Sequence, residues 1–399
     1  MRSLTASLIC AFVLCGPAAS RLTADETPPD ERRPEIEVVF VLDTTGSMSG
    51  LIQAAKDKVW SIADTLATAK PAPVIRFGLV GYRDKGDEYV TRRFQLSDDL
   101  DAAYVDLFDY QAAGGGDAPE AVNRALNEAV EQMEWSRDGH VHRVIYLVGD
   151  CPPHDNEAGE IDYRESCRLA VEKDIVVNTI QCGSHAATTP VWKEIAKLGG
   201  GAFAQIAQSG GLVVRETPFD KKIAELSARR DATRVWFGSE TEVRRQVERL
   251  DAIKTVSDAA PAAQNAARGA FNASGSGLKN FYFAPKSVNG VAMDSVRELV
   301  ETIHSGGFDD ADEKQVQRLP EEWESLTPEQ RKSKAAAIMK ERQDLADQID
   351  ALSTKRQKHL AAELAKEGEE VPELDRALFE SITKQAARKG LTFPKGPKL

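Results

Sequence analysis

The sequence lacks a block of basic residues, and its acidic residues outnumber its basic ones. It contains 51 lysines and arginines against 63 aspartates and glutamates, a formal net charge of −12. Affinity for nucleic acid comes mostly from basic side chains that neutralise phosphates, so this composition argues against a nucleic-acid-binding protein. Long apolar runs are also lacking. No segment after the N-terminus reaches the ~20 apolar residues that a membrane-spanning helix needs, so we expect no transmembrane segment.

The N-terminus has the features of a secretory signal peptide. Arg2 gives a positively charged start, residues 8–14 form a short apolar run, and residues 17–20 offer small side chains for cleavage. The sequence therefore predicts a signal peptide over residues 1–20, a polar, proline-containing linker over 21–34, and a secreted or periplasmic protein.

Cysteine is scarce. Two of the five cysteines, Cys10 and Cys15, fall in the predicted signal peptide, which leaves Cys151, Cys167 and Cys182 in the mature chain. In an exported protein these three allow one disulfide and one free thiol, and the sequence does not choose the pair. Three buried thiols are the alternative.

A hydrophobic fraction of 42% over 399 residues indicates a globular chain of two or more domains. Two continuous apolar runs, 36–42 and 143–149, predict strands that are buried on both faces. Further strand-like segments alternate with amphipathic ones, such as 51–69 and 119–133, which predict helices. This alternation predicts an α/β domain over residues 35–212, with a mostly parallel, Rossmann-like sheet between helices.

The rest of the chain is predicted to be mainly helical. Residues 213–310 are mixed, and residues 311–399 are dense in charges of both signs. A heptad-like apolar stripe predicts a long helix, a helical hairpin or a short coiled coil through which the tail could self-associate; its members are Ile338, Leu345, Ile349 and Leu352. Arg342 and Arg356 interrupt the stripe, so packing onto the rest of the chain stays an equal alternative.

Oxygen-bearing side chains follow the first apolar strand directly. Asp43, Thr45 and Ser47 stand at alternate positions, which places them on one side of an extended segment. Carboxylate and hydroxyl oxygens are the donors that Mg²⁺, Mn²⁺ and Ca²⁺ prefer. Because hydroxyls are weak ligands, we expect further carboxylates to converge from other loops.

Two more aspartates are placed to join this group. Asp117 ends the glycine-rich stretch of the loop GGGDAPE, and Asp150 ends the second apolar strand. Ligands of parallel sheets bind at the carboxyl ends of the strands, so all these residues are expected at one edge. Taken singly, each aspartate could equally cap a helix or a turn.

Three segments together resemble the metal-site loops of von Willebrand factor A-like domains: VFVLDTTGSMSG, GGGDAPEAVNRAL and VIYLVGDCPPH. The first matches the Asp-x-Ser/Thr-x-Ser pattern of the metal-ion-dependent adhesion site. The resemblance implies Asp43, Thr45 and Ser47 as first-loop ligands, Asp150 as the third-loop acid, and a partner whose acidic group completes the coordination sphere. The GGGD-x-Pro-Glu loop and the helical tail resemble those of exported bacterial members.

The second loop departs from the common pattern. Many members of that family have a threonine ligand where this chain has Gly116 and Asp117. Asp117 is then either a third carboxylate ligand or a cap for a helix that starts at Pro119, and both alternatives stay open.

We therefore expect a non-enzymatic, exported module that binds an unidentified protein through a divalent cation. The main alternative is a metal-stabilised scaffold whose helical tail mediates assembly. A hydrolase has weaker support, because Cys151, His154 and Asp155 lie within one turn and no separate element would orient a base. Arg83, which follows a strand, is read either as a counter-charge for the acids or as part of a surface loop.

Overall fold

The computed structural model describes residues 34–116, 118–155, 159–206, 215–273, 287–288, 291–292, 297–367 and 373–394. The predicted signal peptide and all of the linker except Pro34 lie outside this part. Within it, no helix combines the length and apolar character needed to cross a membrane.

A six-stranded sheet forms the centre of the fold. Its spatial order is β3-β2-β1-β4-β5-β6, and only β3 is antiparallel to its neighbour. The predicted apolar strands take the two central positions, which confirms the mostly parallel α/β sheet. The strand bounds are β1 Glu35–Asp43, β2 Val74–Tyr82, β3 Thr91–Ser97, β4 His142–Gly149, β5 Ile175–Cys182 and β6 Gly200–Ile206.

Helices cover both faces of the sheet because successive side chains of β1 point in opposite directions. Val38 and Phe40 pack against one layer of helices, whereas Val39 and Val41 pack against another. The first layer contains α1 (Ile52–Ala67) and α2 (Leu100–Asp109). The second contains α3 (Val122–Glu131), α4 (Tyr163–Glu172) and α5 (Thr188–Leu198).

A mainly helical region follows the sheet, as predicted. Its described residues also form two short two-stranded sheets, β7 Trp236–Phe237 with β10 Arg297–Glu298, and β8 Ser287–Val288 with β9 Val291–Ala292. Its helices are α6 Asp220–Asp231, α7 Glu240–Ala259, α8 Ala262–Ala273, α9 Leu299–His304, α10 Glu313–Val316, α11 Glu321–Glu324, α12 Pro328–Glu367 and α13 Glu373–Ala386.

The prediction of a long helix in the tail is confirmed by α12, which runs unbroken for 40 residues. The two arginines that interrupt its apolar stripe pair with acids of other elements. Arg342 Nη2 lies 2.7 Å from Glu298 Oε1 with both side chains fully buried, and Arg356 Nε lies 2.7 Å from Asp220 Oδ1. These ion pairs hold α12 against the rest of the chain. Self-association through the tail stays a prediction.

The last described segment returns to the sheet. Leu378, Ile382 and Leu391 belong to the same buried cluster as the first helix layer. Buried amide groups also form a hydrogen bond across this contact, in which Gln385 Nε2 donates to Asn178 Oδ1 at 2.8 Å. Residues 373–394 therefore complete the hydrophobic layer on one face of the sheet, although more than 150 residues of chain separate them from β6.

Candidate metal centre

Hydrogen bonds join the side-chain oxygen atoms of the first loop. The Thr45 backbone N–H and its hydroxyl both donate to Asp43 Oδ1, at 2.9 and 2.6 Å, and Thr45 Oγ1 lies 2.9 Å from Ser47 Oγ. A short 3₁₀ turn, Gly46–Gly50, follows and turns the chain toward α1. Asp43 and Thr45 are fully buried, whereas Ser47 is exposed, so the cluster is open to solvent on the Ser47 side.

Asp150 joins this cluster from the neighbouring strand. Leu42 of β1 pairs with Val148 of β4, so the two strands end side by side. Ser47 Oγ donates to Asp150 Oδ1 at 3.1 Å. The structure thus brings four of the predicted residues together at one sheet edge: Asp43, Thr45, Ser47 and Asp150.

Gly149, which precedes Asp150, leaves space for the side chains of Tyr82 and Asp43 beside the end of β4. A Cβ atom at that position would lie 2.3 Å from Tyr82 Oη and 2.8 Å from Asp43 Cβ. Any larger residue would push the Asp43 carboxylate out of place, so glycine is required here by close approach.

The second loop lies against the first. Gly46 N–H donates to the Gly114 carbonyl at 2.9 Å, and Gly115 N–H donates to Asp87 Oδ2 at 2.9 Å. Gly114 and Gly115 have φ of +72° and +66°, a left-handed conformation that favours glycine. Asp117 lies outside the described residues, so its role as a ligand stays a prediction.

The helix after this loop starts later than predicted. It begins at Val122 rather than at Pro119, and Ala121 holds the cap position. The intervening backbone instead joins loops, since Glu120 N–H donates to the Pro152 carbonyl at 3.0 Å and Ala121 N–H to the Arg83 carbonyl at 3.2 Å. The expected helix start at residue 119 was wrong because these inter-loop hydrogen bonds replace the first helical turn.

Arg83 is neither a surface residue nor paired with the clustered acids. It is 6% exposed, and its guanidinium donates to the carbonyls of Thr44 at 3.2 Å and Gln111 at 3.0 Å. Its face stacks on Tyr89, whose ring centroid lies 4.3 Å away. Arg83 therefore fastens the end of β2 to the first and second loops, which corrects the surface-loop reading.

Glu120 is a residue of this edge that the sequence analysis missed. It is 2% exposed, and its Oε2 has no hydrogen-bond partner in the described part of the chain. The available signal was its place directly after Pro119 in the glycine-rich loop. That position does not by itself distinguish a buried acid from a helix-start acid.

Comparison with known proteins agrees with this architecture. Residues 37–217 match the family model described as the von Willebrand factor A domain. Residues 37–217 are therefore similar to a von Willebrand factor A domain, and they are called the A domain below. Such a domain is a protein-interaction or adhesion module, and its matched region contains every residue of the cluster.

Relatives of the chain differ widely in their other parts. An ariadne-like RING finger protein of Acanthamoeba polyphaga mimivirus is 22% identical over 46% of this chain and 19% of its own length. An alpha-protein kinase of Dictyostelium discoideum is 26% identical over 31% of this chain and 19% of its own length. The human von Willebrand factor A domain-containing protein 7 is 31% identical over 34% of this chain and 14% of its own length. The chain thus spans less than a fifth of each of these relatives.

Burial and neighbouring negative charges raise the pKa values of two carboxyl groups at this edge, those of Asp43 and Glu120. Burial and, next, the Asp150 carboxylate together raise the pKa of Asp43 to about 7, although hydrogen bonds from Thr45 act in the opposite direction. Burial also raises the pKa of Glu120 to about 8, with additional contributions from Asp43, Asp84 and Asp150. The carboxylates at this edge are therefore short of positive charge within the protein.

The same edge holds buried oxygen atoms that lack a hydrogen bond of standard geometry. These are Asp43 Oδ2, Tyr82 Oη and Glu120 Oε2. Unpaired buried oxygens are costly unless something absent from the polypeptide pairs with them. No cluster of three or more histidine, cysteine, aspartate or glutamate groups arranged for a metal occurs in the described ranges, so hydroxyls have to complete any coordination. Two carboxylates and two hydroxyls suit a hard divalent cation.

The cysteines of the described part of the chain are buried. All three are free thiols in the structure, which agrees with the three-thiol alternative: Cys151, Cys167 and Cys182. Burial raises the pKa of Cys151 and of Cys182, and raises that of Cys167 to about 12. His154 lies in the same turn, and its Nε2 is 2.7 Å from Asp84 Oδ1.

Proposed function

We propose that the protein is an exported, non-catalytic module that binds another protein through a divalent cation, Mg²⁺, Mn²⁺ or Ca²⁺, held at the A domain edge. One observation carries this proposal. The Asp43 carboxylate is fully buried beside Asp150, accepts from the Thr45 hydroxyl, and keeps one oxygen without a hydrogen bond of standard geometry. A cation explains why such an arrangement is retained, since it would pair with the charges that the protein leaves uncompensated.

The four proposed ligands differ in charge and in exposure. Asp43 and Asp150 supply negative charge, and Thr45 and Ser47 supply neutral oxygens. Ser47 is the exposed member, so an acidic group of a partner would approach from its side. The cation, when bound, supplies a Lewis-acidic point for that group. Export rests on the N-terminal pattern of Arg2 and the short apolar run after it.

A metal-stabilised scaffold is the second candidate. In this case the cation only locks the loops together, and the helical region mediates assembly. The observation that favours it is the network of loop-to-loop hydrogen bonds, such as Gly46 N–H to the Gly114 carbonyl, which already joins the first two loops. A hydrolase is not proposed, because burial raises the pKa of the Cys151 thiol and so disfavours the thiolate that a cysteine nucleophile requires.

Calorimetric titration of the full chain with Mg²⁺ and Mn²⁺ tests the proposal. We expect binding to the unchanged protein and its loss in Asp43→Asn, with binding kept in the control Asp258→Asn, an exposed aspartate on α7. Asp117→Ala belongs in the same series and decides whether that residue is a ligand. Absence of binding to the unchanged protein would refute the metal site.

A capture experiment separates the two candidate functions. The immobilised protein is exposed to extracellular or periplasmic extract in Mg²⁺ or in EDTA. Protein binding that requires Mg²⁺ and is lost in Asp43→Asn supports the adhesive module. Partner binding that persists in Asp43→Asn, with the metal still needed for folding stability, would favour the scaffold.

A further inference from the structure

Tyr82, Asp43 and Gly149 stand in one row across three neighbouring strands. Asp43 pairs with Tyr82 between β1 and β2, and the register between β1 and β4 brings Gly149 level with Asp43. Tyr82 belongs to the same buried cluster as Val41, which stands two residues before Asp43. Because alternate residues of a strand point to the same face, the side chains of Tyr82 and Asp43 share that face of the sheet.

Gly149 leaves a buried space that both of these side chains border. A Cβ at residue 149 would touch Tyr82 Oη and would lie 2.9 Å from Asp43 Oδ2. Both Tyr82 and Asp43 are fully buried. The phenol hydroxyl and this carboxylate oxygen are therefore neighbours in a part of the sheet edge that solvent does not reach.

The two oxygen atoms complement each other as donor and acceptor. Neither has a hydrogen bond of standard geometry in the described part of the chain. A carboxylate offers about four lone-pair sites, and Thr45 takes those of Asp43 Oδ1 through its backbone N–H at 2.9 Å and its hydroxyl at 2.6 Å. The sites of Oδ2 are left, which is enough for the proton of a phenol and for a cation together.

The surroundings of Tyr82 keep its hydroxyl protonated. Burial and, next, the carboxylates of Asp43, Asp150 and Glu120 raise the pKa of Tyr82. The phenol is therefore a neutral donor among acids, so it compensates no full charge and leaves the need for a cation in place. Asp43 is the favoured acceptor, because its Oδ2 borders the same space as the hydroxyl.

We propose that Tyr82 is a positioning residue of the cation site, and that its hydroxyl donates to Asp43 Oδ2 and holds this carboxylate in the orientation in which it binds the cation. This inference rests on the proposed function. Tyr82 acts through Asp43 and does not itself touch the ion. Carboxylates that bind metals are commonly held by such hydrogen bonds, and loss of the partner typically costs about ten- to a hundredfold in metal affinity.

The first test is a Mn²⁺ titration of the full chain, of Tyr82→Phe and of Tyr163→Phe. Tyr82→Phe removes only the hydroxyl and should weaken Mn²⁺ binding at least about tenfold. Tyr163→Phe is the control, because this buried phenol also donates to a carboxylate, Glu194 Oε2 at 2.9 Å, but joins α4 to α5. Its affinity should stay within about twofold of the unchanged chain.

The outcomes of this titration separate the inference from the proposed function. Equal affinity of Tyr82→Phe and Tyr163→Phe would overturn the role of Tyr82 while the metal site stands. Failure of the unchanged chain to bind Mn²⁺ would instead refute the proposed function itself.

A double-mutant cycle without metal distinguishes a hydrogen bond to Asp43 from a hydroxyl that only fills space. Urea unfolding in EDTA at pH 8 gives the effect of Tyr82→Phe in the unchanged chain and in Asp43→Ala, which lacks the acceptor. Tyr82→Phe should lower the urea midpoint of the unchanged chain, because it takes a donor from a buried carboxylate. In Asp43→Ala the same change should leave the midpoint where it is or raise it, because a buried hydroxyl without a partner is unfavourable.

Two results of this cycle would overturn the proposal. An equal effect of Tyr82→Phe in both backgrounds would show that the hydroxyl does not act on Asp43. Coupling of Tyr82→Phe to Glu120→Ala in place of Asp43→Ala would assign the proton to Glu120 Oε2, the other carboxylate oxygen of this edge without a hydrogen bond of standard geometry.

Discussion

The metal-free protein should lose stability through Asp43 as the pH rises. Burial and the Asp150 charge raise the pKa of Asp43 from 3.8 in the unfolded chain to about 7 in the folded one. The folded state therefore holds the proton longer than the unfolded state. The stabilisation is fully present below about pH 4, and it disappears as the pH passes through the folded value near 7.

The magnitude follows from the size of the shift. At 1.36 kcal/mol per pKa unit, Asp43 alone should lower the free energy of unfolding by about 2.5 kcal/mol between pH 5 and pH 8. His142 acts in the opposite direction, because burial lowers its pKa from 6.5 to about 4, and its contribution grows more favourable over the same interval. The two effects partly cancel in the unchanged protein.

The assay therefore measures a difference between two proteins. Urea unfolding in EDTA gives the free energy of unfolding for the unchanged chain and for Asp43→Asn at pH 5, 6, 7 and 8. Because His142 is common to both, its contribution drops out. The stability of the unchanged chain relative to Asp43→Asn should fall by about 2.5 kcal/mol from pH 5 to pH 8. Saturating Mg²⁺ should reverse this trend by pairing with the ionised carboxylate.

Two results would refute this reasoning. A difference between the two proteins that stays constant with pH in EDTA would show that Asp43 ionises as an ordinary exposed acid. A difference that falls equally in EDTA and in Mg²⁺ would show that the ionised carboxylate is not compensated by the cation.

Three further predictions concern the packing around the site and the helical region. Gly149→Ala should abolish cation binding in the calorimeter by displacing Asp43, whereas Gly50→Ala, where an added Cβ meets nothing within 4 Å, should bind normally. Arg342→Met should lower the free energy of unfolding by about 3–5 kcal/mol in urea because it leaves Glu298 buried and unpaired, and added Glu298→Gln should recover part of that loss. Truncation after residue 217 should yield aggregated protein in size-exclusion chromatography, since it uncovers the sheet face that residues 373–394 bury; a monomeric, folded fragment would contradict this.

The sheet and the first loop could be predicted because their signals are local. Continuous apolar runs identified β1 and β4, and the burial of every residue in β4 agrees with that signal. The alternate spacing of Asp43, Thr45 and Ser47 predicted their common direction, and the hydrogen bonds among them have that geometry. Short-range periodicity determines both features, so a single sequence suffices.

Other features depend on contacts between distant residues, and the sequence did not reveal them. Arg83 and Glu120 have the residue types of surface loops, and only the convergence of three loops buries them. The packing of residues 373–394 on the sheet depends on Leu378 and Ile382, whose helical spacing predicts an apolar face but not what covers it. Arg342 looked like an interruption of an apolar stripe until Glu298 supplied its buried partner.

The most direct test of the metal site is anomalous X-ray diffraction from crystals of the full chain grown with Mn²⁺. The account predicts one strong anomalous peak at the carboxyl edge of the sheet, enclosed by Asp43, Thr45, Ser47 and Asp150. Full-occupancy Mn²⁺ bound elsewhere, with the hydrogen bonds between Asp43 and Thr45 unchanged, would contradict the central claim.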